Sequence, residues 1–309
     1  MTNNYPNFFI PGAAKSGTST LHELLNFHPD ICMSSEKEPY FWVRKDFDLY
    51  TKREKEWYNN LFNAKPNALK RGESTTAYML FPGFIEAIST HLNPDELKFI
   101  FILRNPVKRA YSHYWYLKGI GSETLEFKPA VLNDIDEPPQ MNTMLAEGKY
   151  KHYYQYGLYG KWLKPFYDQF NSNQIKVILF EDLKANPETV ANSCFQFLGL
   201  STLSDIPKIH SNKTVILKAP HLHRKWSILS QNTINFFRPT FKYFPRQLKD
   251  KFKKLDVTDI IPEKTNAAYP KLDPMDKQWL SSLYANDAKL LEQLTNQSFD
   301  HWFKTAEVK

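Results

Sequence analysis

The sequence predicts an α/β fold in which a central parallel sheet carries helices on both faces. Three apolar segments rich in strand-forming residues are the clearest predicted strands: Asn7–Pro11, Lys98–Leu103 and Gln174–Phe180. Segments with helical spacing separate them, and such an alternation is typical of a parallel sheet that is covered on both sides. Parallel sheets bind ligands at the carboxyl ends of their strands. We therefore expect a functional site in the loops that follow Ile10, Leu103 and Phe180.

The predicted helices begin at recognisable signals. After the first strand, Leu21, Leu24 and Leu25 follow the i, i+3, i+4 spacing of a buried helix face. An N-cap residue followed directly by proline begins a helix at three further places: Asn105-Pro106, Asn186-Pro187 and Asp273-Pro274. By contrast, the sequence predicts a short apolar turn at Ile31–Met33 and a loop at Leu132–Met141.

The composition excludes several classes of protein. The chain has 309 residues, of which 42% are hydrophobic and 15% aromatic, so it is neither disordered nor collagen-like. The longest aliphatic and aromatic run, Phe99–Leu103, is far too short for a membrane span, and the first residues lack the pattern of a secretory signal. The two cysteines, Cys32 and Cys194, predict neither a disulfide framework nor a cysteine-rich zinc site. A reducing cytoplasm is the expected location.

The net charge of +7 comes from one segment of the chain. Between Lys208 and Lys254 there are twelve lysines and arginines and one acidic residue. Because no linker is visible, we expect a single domain over residues 1–309, with residues 228–255 as a basic and aromatic excursion within it. The excursion leaves open contact with a membrane surface, an anionic glycan or a partner, although a solvated basic face over packed aromatic residues is the simpler interpretation. No nucleic-acid recognition fold is visible, so we expect no nucleic-acid partner.

A phosphate-binding loop is predicted directly after the first strand. Pro11-Gly12-Ala13-Ala14-Lys15-Ser16-Gly17-Thr18-Ser19-Thr20 leads from that strand into the leucine-patterned helix. Backbone N–H groups converge at such a helix start, but the helix dipole adds only about 0.3–1 kcal/mol, so Lys15 and the hydroxyl groups must contribute. The Gly12-x4-Gly17 spacing matches the ATP-binding P-loop, but the Lys-Ser/Thr pair that should follow is absent. An ordinary turn with a solvated lysine is the alternative.

A second phosphate-binding loop is predicted after the second strand. Arg104 lies at the carboxyl end of that strand, and Arg109 and Ser112 share one face of the following helix. A guanidinium and a hydroxyl group at one edge suit a phosphate. A surface ion pair is the simpler explanation of an arginine in this place when it is considered alone.

Taken together, the two loops resemble those of the sulfotransferase family. The segments Tyr156–Leu200 and Tyr269–Trp302 also resemble bacterial members, and the nearest branch is the carbohydrate sulfotransferases related to the heparan sulfate enzymes. The resemblance implies a P-loop NTPase-like three-layer fold. It also implies the donor 3′-phosphoadenosine 5′-phosphosulfate (PAPS), transfer of its sulfuryl group to a hydroxyl or amine, and no metal. The implied donor-binding residues are Lys15, Ser16, Gly17, Thr18 and Ser19 for the 5′-phosphosulfate, Arg104 and Ser112 for the 3′-phosphate, and Lys213 in the basic segment.

The resemblance also implies residues on the acceptor side. Glu38, two positions before an aromatic pair, matches the catalytic base of the heparan sulfate-like branch, and Lys15 is implied to stabilise the leaving phosphate. A free glutamate has a pKa of ~4.3, so we expect the neighbouring aromatic residues and Glu73 to raise the pKa of Glu38. Glu73 and Tyr78 are candidate acceptor contacts, although packing at a strand end explains them equally well. Ser74 stands where heparan sulfate enzymes often carry a lysine, which argues for a less anionic carbohydrate or glycosylated acceptor.

Two other functions stay open at this level. A P-loop kinase or NTPase is suggested by Gly12-x4-Gly17 and by Glu181-Asp182, which follow an apolar strand as Mg²⁺-binding acids would. A non-catalytic module that binds a nucleotide in both phosphate loops, without a working base, is the second alternative.

Overall fold

Five parallel strands form the central sheet of the computed structural model. The structure describes residues 4–44, 46–136, 151–207 and 269–303, together with two short strands at 216–217 and 264–265. The sheet has the strand order β2-β3-β1-β4-β5. Its strands are β1 (Phe8–Gly12), β2 (Ile31–Met33), β3 (Lys70–Ser74), β4 (Lys98–Leu103) and β5 (Ile175–Leu179). A separate antiparallel pair joins β6 (Ile216–Leu217) to β7 (Lys264–Thr265).

Helices connect the strands and cover both faces of the sheet. In chain order, the helices of the described residues are α1 (Thr18–Phe27), α2 (Phe41–Arg44), α3 (Lys52–Asn60), α4 (Pro82–His91), α5 (Pro106–Gly119), α6 (Phe127–Asp136), α7 (Tyr159–Gln169), α8 (Phe180–Ala185), α9 (Pro187–Phe197) and α10 (Pro274–Thr295). A 3₁₀ segment, Thr76–Leu80, follows β3.

Alternate residues of the strands contribute to two hydrophobic cores. On β1, Phe9 packs on the face covered by α4 and α7, whereas Phe8 and Ile10 pack on the face covered by α1 and α9. On β4, Phe101 packs on the same face as Phe9, and Ile102 packs on the opposite face with Phe8 and Ile10. A parallel sheet that is buried on both faces leaves its strand ends as the accessible place for a site. The predicted three-layer α/β fold is therefore confirmed.

Most element predictions are confirmed. Lys98–Leu103 is a strand as predicted, and the other two predicted strands are found within one residue of their expected bounds. The helices at Pro106, Pro187 and Pro274 begin with proline in the first turn. Within the described ranges, no helix combines the length and apolar character that spanning a membrane requires.

Two loop predictions are wrong. Ile31–Met33 is an edge strand, because its buried residues pair in register with Lys70–Gly72 of β3. Residues 132–136 are the last turn of α6, where the buried carboxylate of Asp134 accepts backbone N–H groups from Tyr154 and Gln155. The rest of that predicted loop, the excursion at 228–255 and Lys213 lie outside the described residues.

Candidate active site

The loop after β1 is anchored to its neighbours on both sides. The backbone N–H of Ala13 donates to the carbonyl of Ile102 on β4 at 2.8 Å, and that of Ala14 donates to the hydroxyl of Tyr156 at 3.0 Å. Gly17 then adopts a left-handed conformation, with φ 92°, as the N-cap of α1. The first N–H groups of α1 have no acceptor within the helix, as at every helix start. The loop after β1 and the start of α1, together called the anion cradle below, therefore have the geometry that the predicted phosphate-binding loop requires.

Lys15 lies at the centre of this cradle. Its backbone has a left-handed φ of 67°, and its Nζ is 4.3 Å from the centroid of the Tyr116 ring. Burial, together with the positive charges of Arg104, Lys37 and Arg109, lowers the pKa of Lys15 to about 8, while the charge of Glu38 opposes them. A buried cation surrounded by other cations attracts a polyanion.

Arg104 connects the second loop to the first. Its Nη1 donates to the backbone carbonyl of Lys15 at 3.1 Å, and its guanidinium lies over the Phe180 ring at 4.8 Å from the centroid. The buried Nε of Arg104 has no hydrogen-bond partner among the described residues. Ser112 is 4% exposed on α5. Lys15 and Arg104 therefore meet at the carboxyl ends of adjacent strands.

Arg109 differs from the sequence-based expectation. Although it follows Arg104 by only five positions, its side chain is fully buried, and its Nη2 donates to the backbone carbonyls of His152 (3.1 Å) and Tyr153. We conclude that Arg109 holds residues 152–153 against α5, and that the guanidinium facing the cradle is that of Arg104.

Glu38 is held by hydrogen bonds on both oxygens. Its Oε1 accepts from the Nζ of Lys37 (3.1 Å) and the hydroxyl of Thr76 (2.9 Å), and its Oε2 accepts from the hydroxyl of Tyr40 (3.1 Å). Burial raises the pKa of Glu38, but the charge of Lys37 and these three hydrogen bonds outweigh burial, so the pKa lies below its ordinary value. The expectation of a raised pKa is wrong, because Tyr40 acts as a donor and Trp42 donates its indole N–H to Tyr58 at 2.8 Å instead.

Glu73 and Tyr78 lie in the core. Both side chains are fully buried. Burial raises the pKa of Glu73 to about 7, against hydrogen bonds from Thr75, Tyr58 and Tyr78. Neither side chain is on the accessible surface, and their contact with an acceptor stays a prediction.

Sequence analysis missed three side chains of the site. Lys37 and Thr76 hold Glu38, and Tyr116 receives Lys15 on its ring. Tyr116 follows Ser112 by one helical turn, so the i, i+4 spacing on α5 was the available signal. No comparable signal exists for Thr76, since only the return of β3 to the sheet brings it to Glu38.

The acidic pair of the kinase alternative lies at the start of α8. Glu181 accepts the backbone N–H of Asn105 at 3.5 Å, and no described lysine or arginine forms an ion pair with it. Among the residues that the structure describes, there is no group of three or more His, Cys, Asp or Glu side chains arranged to hold a metal ion.

Known proteins are similar to this chain in sequence. Human carbohydrate sulfotransferase 15 is 25% identical over 289 residues, covering 76% of this chain and 52% of that protein. Mouse heparan sulfate glucosamine 3-O-sulfotransferase 3B1 is 28% identical over 222 residues, covering 68% of this chain and 50% of that protein. This chain therefore spans about half the length of the curated relatives it matches.

A solved structure is similar over nearly the full chain. The crystal structure of a sulfotransferase from Alicyclobacillus acidocaldarius superimposes with a TM-score of 0.67 at 27% identity, covering 97% of this chain and 99% of that one. A family model described as a sulfotransferase domain matches residues 5–223, which include both predicted phosphate-binding loops and Glu38. The chain belongs to the sulfotransferase domain family.

Proposed function

We propose that this chain is a PAPS-dependent sulfotransferase that transfers the sulfuryl group to a hydroxyl or amine of a carbohydrate-type acceptor. The observation that carries the proposal is the junction of the two loops, where Arg104 donates to the carbonyl of Lys15 at 3.1 Å. A cation at each of two adjacent strand ends matches a donor that carries phosphate at both its 5′ and 3′ positions. The carbohydrate class is supported by the curated relatives, which are carbohydrate and heparan sulfate sulfotransferases.

The cradle supplies groups for both ends of the donor. Lys15, the first N–H groups of α1 and the hydroxyls of Thr18 and Ser19 would bind the 5′-phosphosulfate, with Ser16 and Gly17 shaping the turn. Arg104 and Ser112 would bind the 3′-phosphate, and the buried Nε of Arg104 without a described partner fits a group kept for a ligand. Lys213 joins this set on the resemblance alone.

Glu38 would accept the proton of the acceptor. In an in-line displacement the acceptor oxygen or nitrogen attacks the sulfur, the bond to the bridging oxygen breaks, and negative charge grows on the departing phosphate. Lys15 would stabilise that charge. The lowered pKa of Glu38 keeps it ionised at neutral pH, and its three hydrogen-bond donors fix its orientation.

The compartment is also a proposal. Cys32 and Cys194 are both free and buried, in keeping with a reducing cytoplasm. Fractionation of cells that express the native chain tests this, and recovery in a membrane or secreted fraction would contradict it.

Isothermal titration tests the donor. We expect 3′-phosphoadenosine 5′-phosphate (PAP), the spent donor, to bind far more tightly than ATP with Mg²⁺. Arg104→Ala removes a charged hydrogen-bond donor, typically ~1.5–3 kcal/mol, and should weaken PAP binding by about 10- to 100-fold. The affinity for adenosine 5′-phosphosulfate, which has no 3′-phosphate, should change much less. Arg53→Ala, at an exposed position of α3, is the matched control. Tighter binding of ATP with Mg²⁺ than of PAP would contradict the sulfotransferase proposal and favour the P-loop kinase or NTPase alternative.

Gly17→Ala should weaken donor binding by about tenfold or more. Gly17 has φ 92°, which costs a residue with a Cβ about 1–2 kcal/mol, and an added Cβ would lie 2.9 Å from a carbon of the Phe180 ring. To relieve the contact between the added Cβ and Phe180, either the anion cradle or the Phe180 ring, on which Arg104 lies, has to move. Titration with PAP measures the effect, and Gly83→Ala, where an added Cβ meets nothing within 4 Å, is the control. Equal PAP affinities of the Gly17 variant and the wild type would contradict the predicted role of this turn.

Donor affinity should fall as the pH rises through about 8. Burial lowers the pKa of Lys15 to about 8, so its positive charge is present below that pH and is lost above it. If the neutral amine contributes nothing, PAP affinity falls about tenfold for each pH unit above the pKa. Lys15→Arg stays charged throughout and should flatten the profile. An unchanged affinity of the wild type between about pH 7 and 9.5 would show that Lys15 does not carry the binding charge.

A further inference from the structure

Glu73 is a buried carboxylate that the proposed mechanism does not use. It lies near the carboxyl end of β3 and is fully buried. Its oxygens accept hydrogen bonds from the hydroxyls of Tyr58, Thr75 (2.5 Å) and Tyr78. Three O–H donors around one carboxyl group suit the ionised form, because a protonated acid must itself donate and would turn one hydroxyl away.

Two of these hydroxyls hold Trp42. The hydroxyl of Tyr58 accepts from the indole Nε1 of Trp42 at 2.8 Å, and the hydroxyl of Tyr78 accepts from its backbone N–H at 3.3 Å. Each tyrosine thus donates to Glu73 and accepts from Trp42. Trp42 lies in α2, two positions after Tyr40, which donates to Glu38.

The third hydroxyl belongs to the segment on the other side of Glu38. Thr75 lies between Ser74, whose carbonyl accepts the backbone N–H of Glu38 at 2.9 Å, and Thr76, whose hydroxyl donates to Glu38 at 2.9 Å. The hydrogen bonds of Glu73 therefore reach both chain segments that contact Glu38.

We propose that Glu73 is a positioning residue for Glu38: its charged carboxylate orders Trp42 and the end of β3, and its protonation releases them. This inference deepens the proposed function and rests on it for the role of Glu38. It predicts a loss of turnover at acid pH that leaves donor binding unchanged.

In this network of hydrogen bonds, Glu73 is the group that gains or loses a proton near neutral pH. Burial raises its pKa to about 7. Tyr58 from α3 and Tyr78 from the 3₁₀ segment face it, and burial raises their pKa values well above 10, so both stay neutral. Glu38, beyond Thr76, is ionised at this pH because its pKa lies below its ordinary value.

The indole resonance of Trp42 reports the state of Glu73 without any ligand. We expect this ¹H–¹⁵N resonance, assigned by its absence in Trp42→Phe, to titrate with a midpoint near pH 7 in the wild type, where Glu73 has a pKa of about 7. Glu73→Gln should abolish the titration, and Glu86→Gln, at an exposed position of α4, should leave it intact. If Glu73→Gln fails to fold, Tyr58→Phe serves as the second variant. It removes the hydroxyl that accepts the indole N–H of Trp42, so the indole resonance should no longer titrate near pH 7. A resonance that does not titrate in the wild type, or that titrates equally in Glu73→Gln, would overturn the proposal.

Measurements of turnover and of PAP affinity distinguish a positioning role of Glu73 from a role in packing alone. The release of PAP from PAPS, assayed with a saccharide acceptor panel, should fall about 10- to 100-fold in Glu73→Gln at neutral pH, while the Kd of PAP stays within about threefold. The wild-type rate should show an inflection near pH 7 that the variant lacks. A turnover of Glu73→Gln equal to that of the wild type would contradict the positioning role of Glu73. Failure of the wild type to bind PAP would instead refute the donor assignment, and the indole titration would still decide whether Glu73 controls Trp42.

Discussion

Lys15→Ala should lower turnover by about 100- to 1,000-fold, the usual effect of removing one group that stabilises transition-state charge. The structure gives the reason: Lys15 is a buried cation in the anion cradle, and its backbone, with φ 67°, carries the side chain over α5, where its Nζ lies 4.3 Å from the centroid of the Tyr116 ring. Negative charge grows on the departing phosphate as its bond to sulfur breaks, so it is greater in the transition state than in bound PAPS, and the loss should be greater in kcat than in the affinity for PAPS. Release of PAP at saturating PAPS measures it.

Two variants test whether the effect belongs to this charge. Lys37→Ala also removes a lysine close to Glu38, but its ammonium is paired with that carboxylate at 3.1 Å, so we expect a much smaller loss. Tyr116→Phe keeps the ring on which Lys15 rests and should be close to the wild type. If Lys15→Ala turns over within about threefold of the wild type, Lys15 is only a ground-state contact.

Local signals in the sequence predict the donor side of the site. A strand, a glycine turn and a helix start at Gly12–Thr18 are contiguous in the chain, and so are Arg104 and the Asn105-Pro106 helix start. Backbone geometry that depends on neighbouring residues is visible from patterning and capping. For this reason the strand, the glycine turn and both helix starts are found where the sequence predicts them, and the binding of a donor there stays a prediction.

The acceptor side depends on contacts between distant segments, and sequence analysis predicts it less well. The charge of the adjacent Lys37 lowers the pKa of Glu38 most, but the hydrogen bond from Thr76, 38 positions away, also lowers it and has no local signal. The short strand at Ile31–Met33 has too few residues to show a period. Arg109 is similar: its neighbours in sequence suggest a phosphate ligand, but its Nη2 donates to backbone carbonyls more than forty positions away. Tertiary contacts decided these three cases.

Glu38→Gln should lower turnover by about 100- to 10,000-fold while the affinity for PAP barely changes, because a general base acts on the acceptor and not on the donor. The amide has nearly the shape of the carboxylate and can still accept hydrogen bonds from Thr76 and Lys37 through its oxygen. Loss of activity with intact donor binding would therefore report the missing base. Equal turnover in Glu38→Gln and the wild type would remove Glu38 from the mechanism and leave the non-catalytic nucleotide-binding module as the alternative.

The pH profile provides the matching control for this base. The charge of Lys37 lowers the pKa of Glu38, so Lys37→Gln should raise that pKa. The carboxylate then becomes a stronger base, but it is also protonated at a higher pH. An acid limb set by Glu38 lies below the ordinary glutamate pKa in the wild type and moves up in Lys37→Gln. An acid limb set by Glu73 lies near pH 7 and stays in place, because burial and the hydrogen bonds from Thr75, Tyr58 and Tyr78 set the pKa of that carboxyl group. The two carboxylates thus have different signatures in one experiment, and an acid limb that responds to neither Lys37→Gln nor Glu73→Gln would exclude both of them from control of the rate.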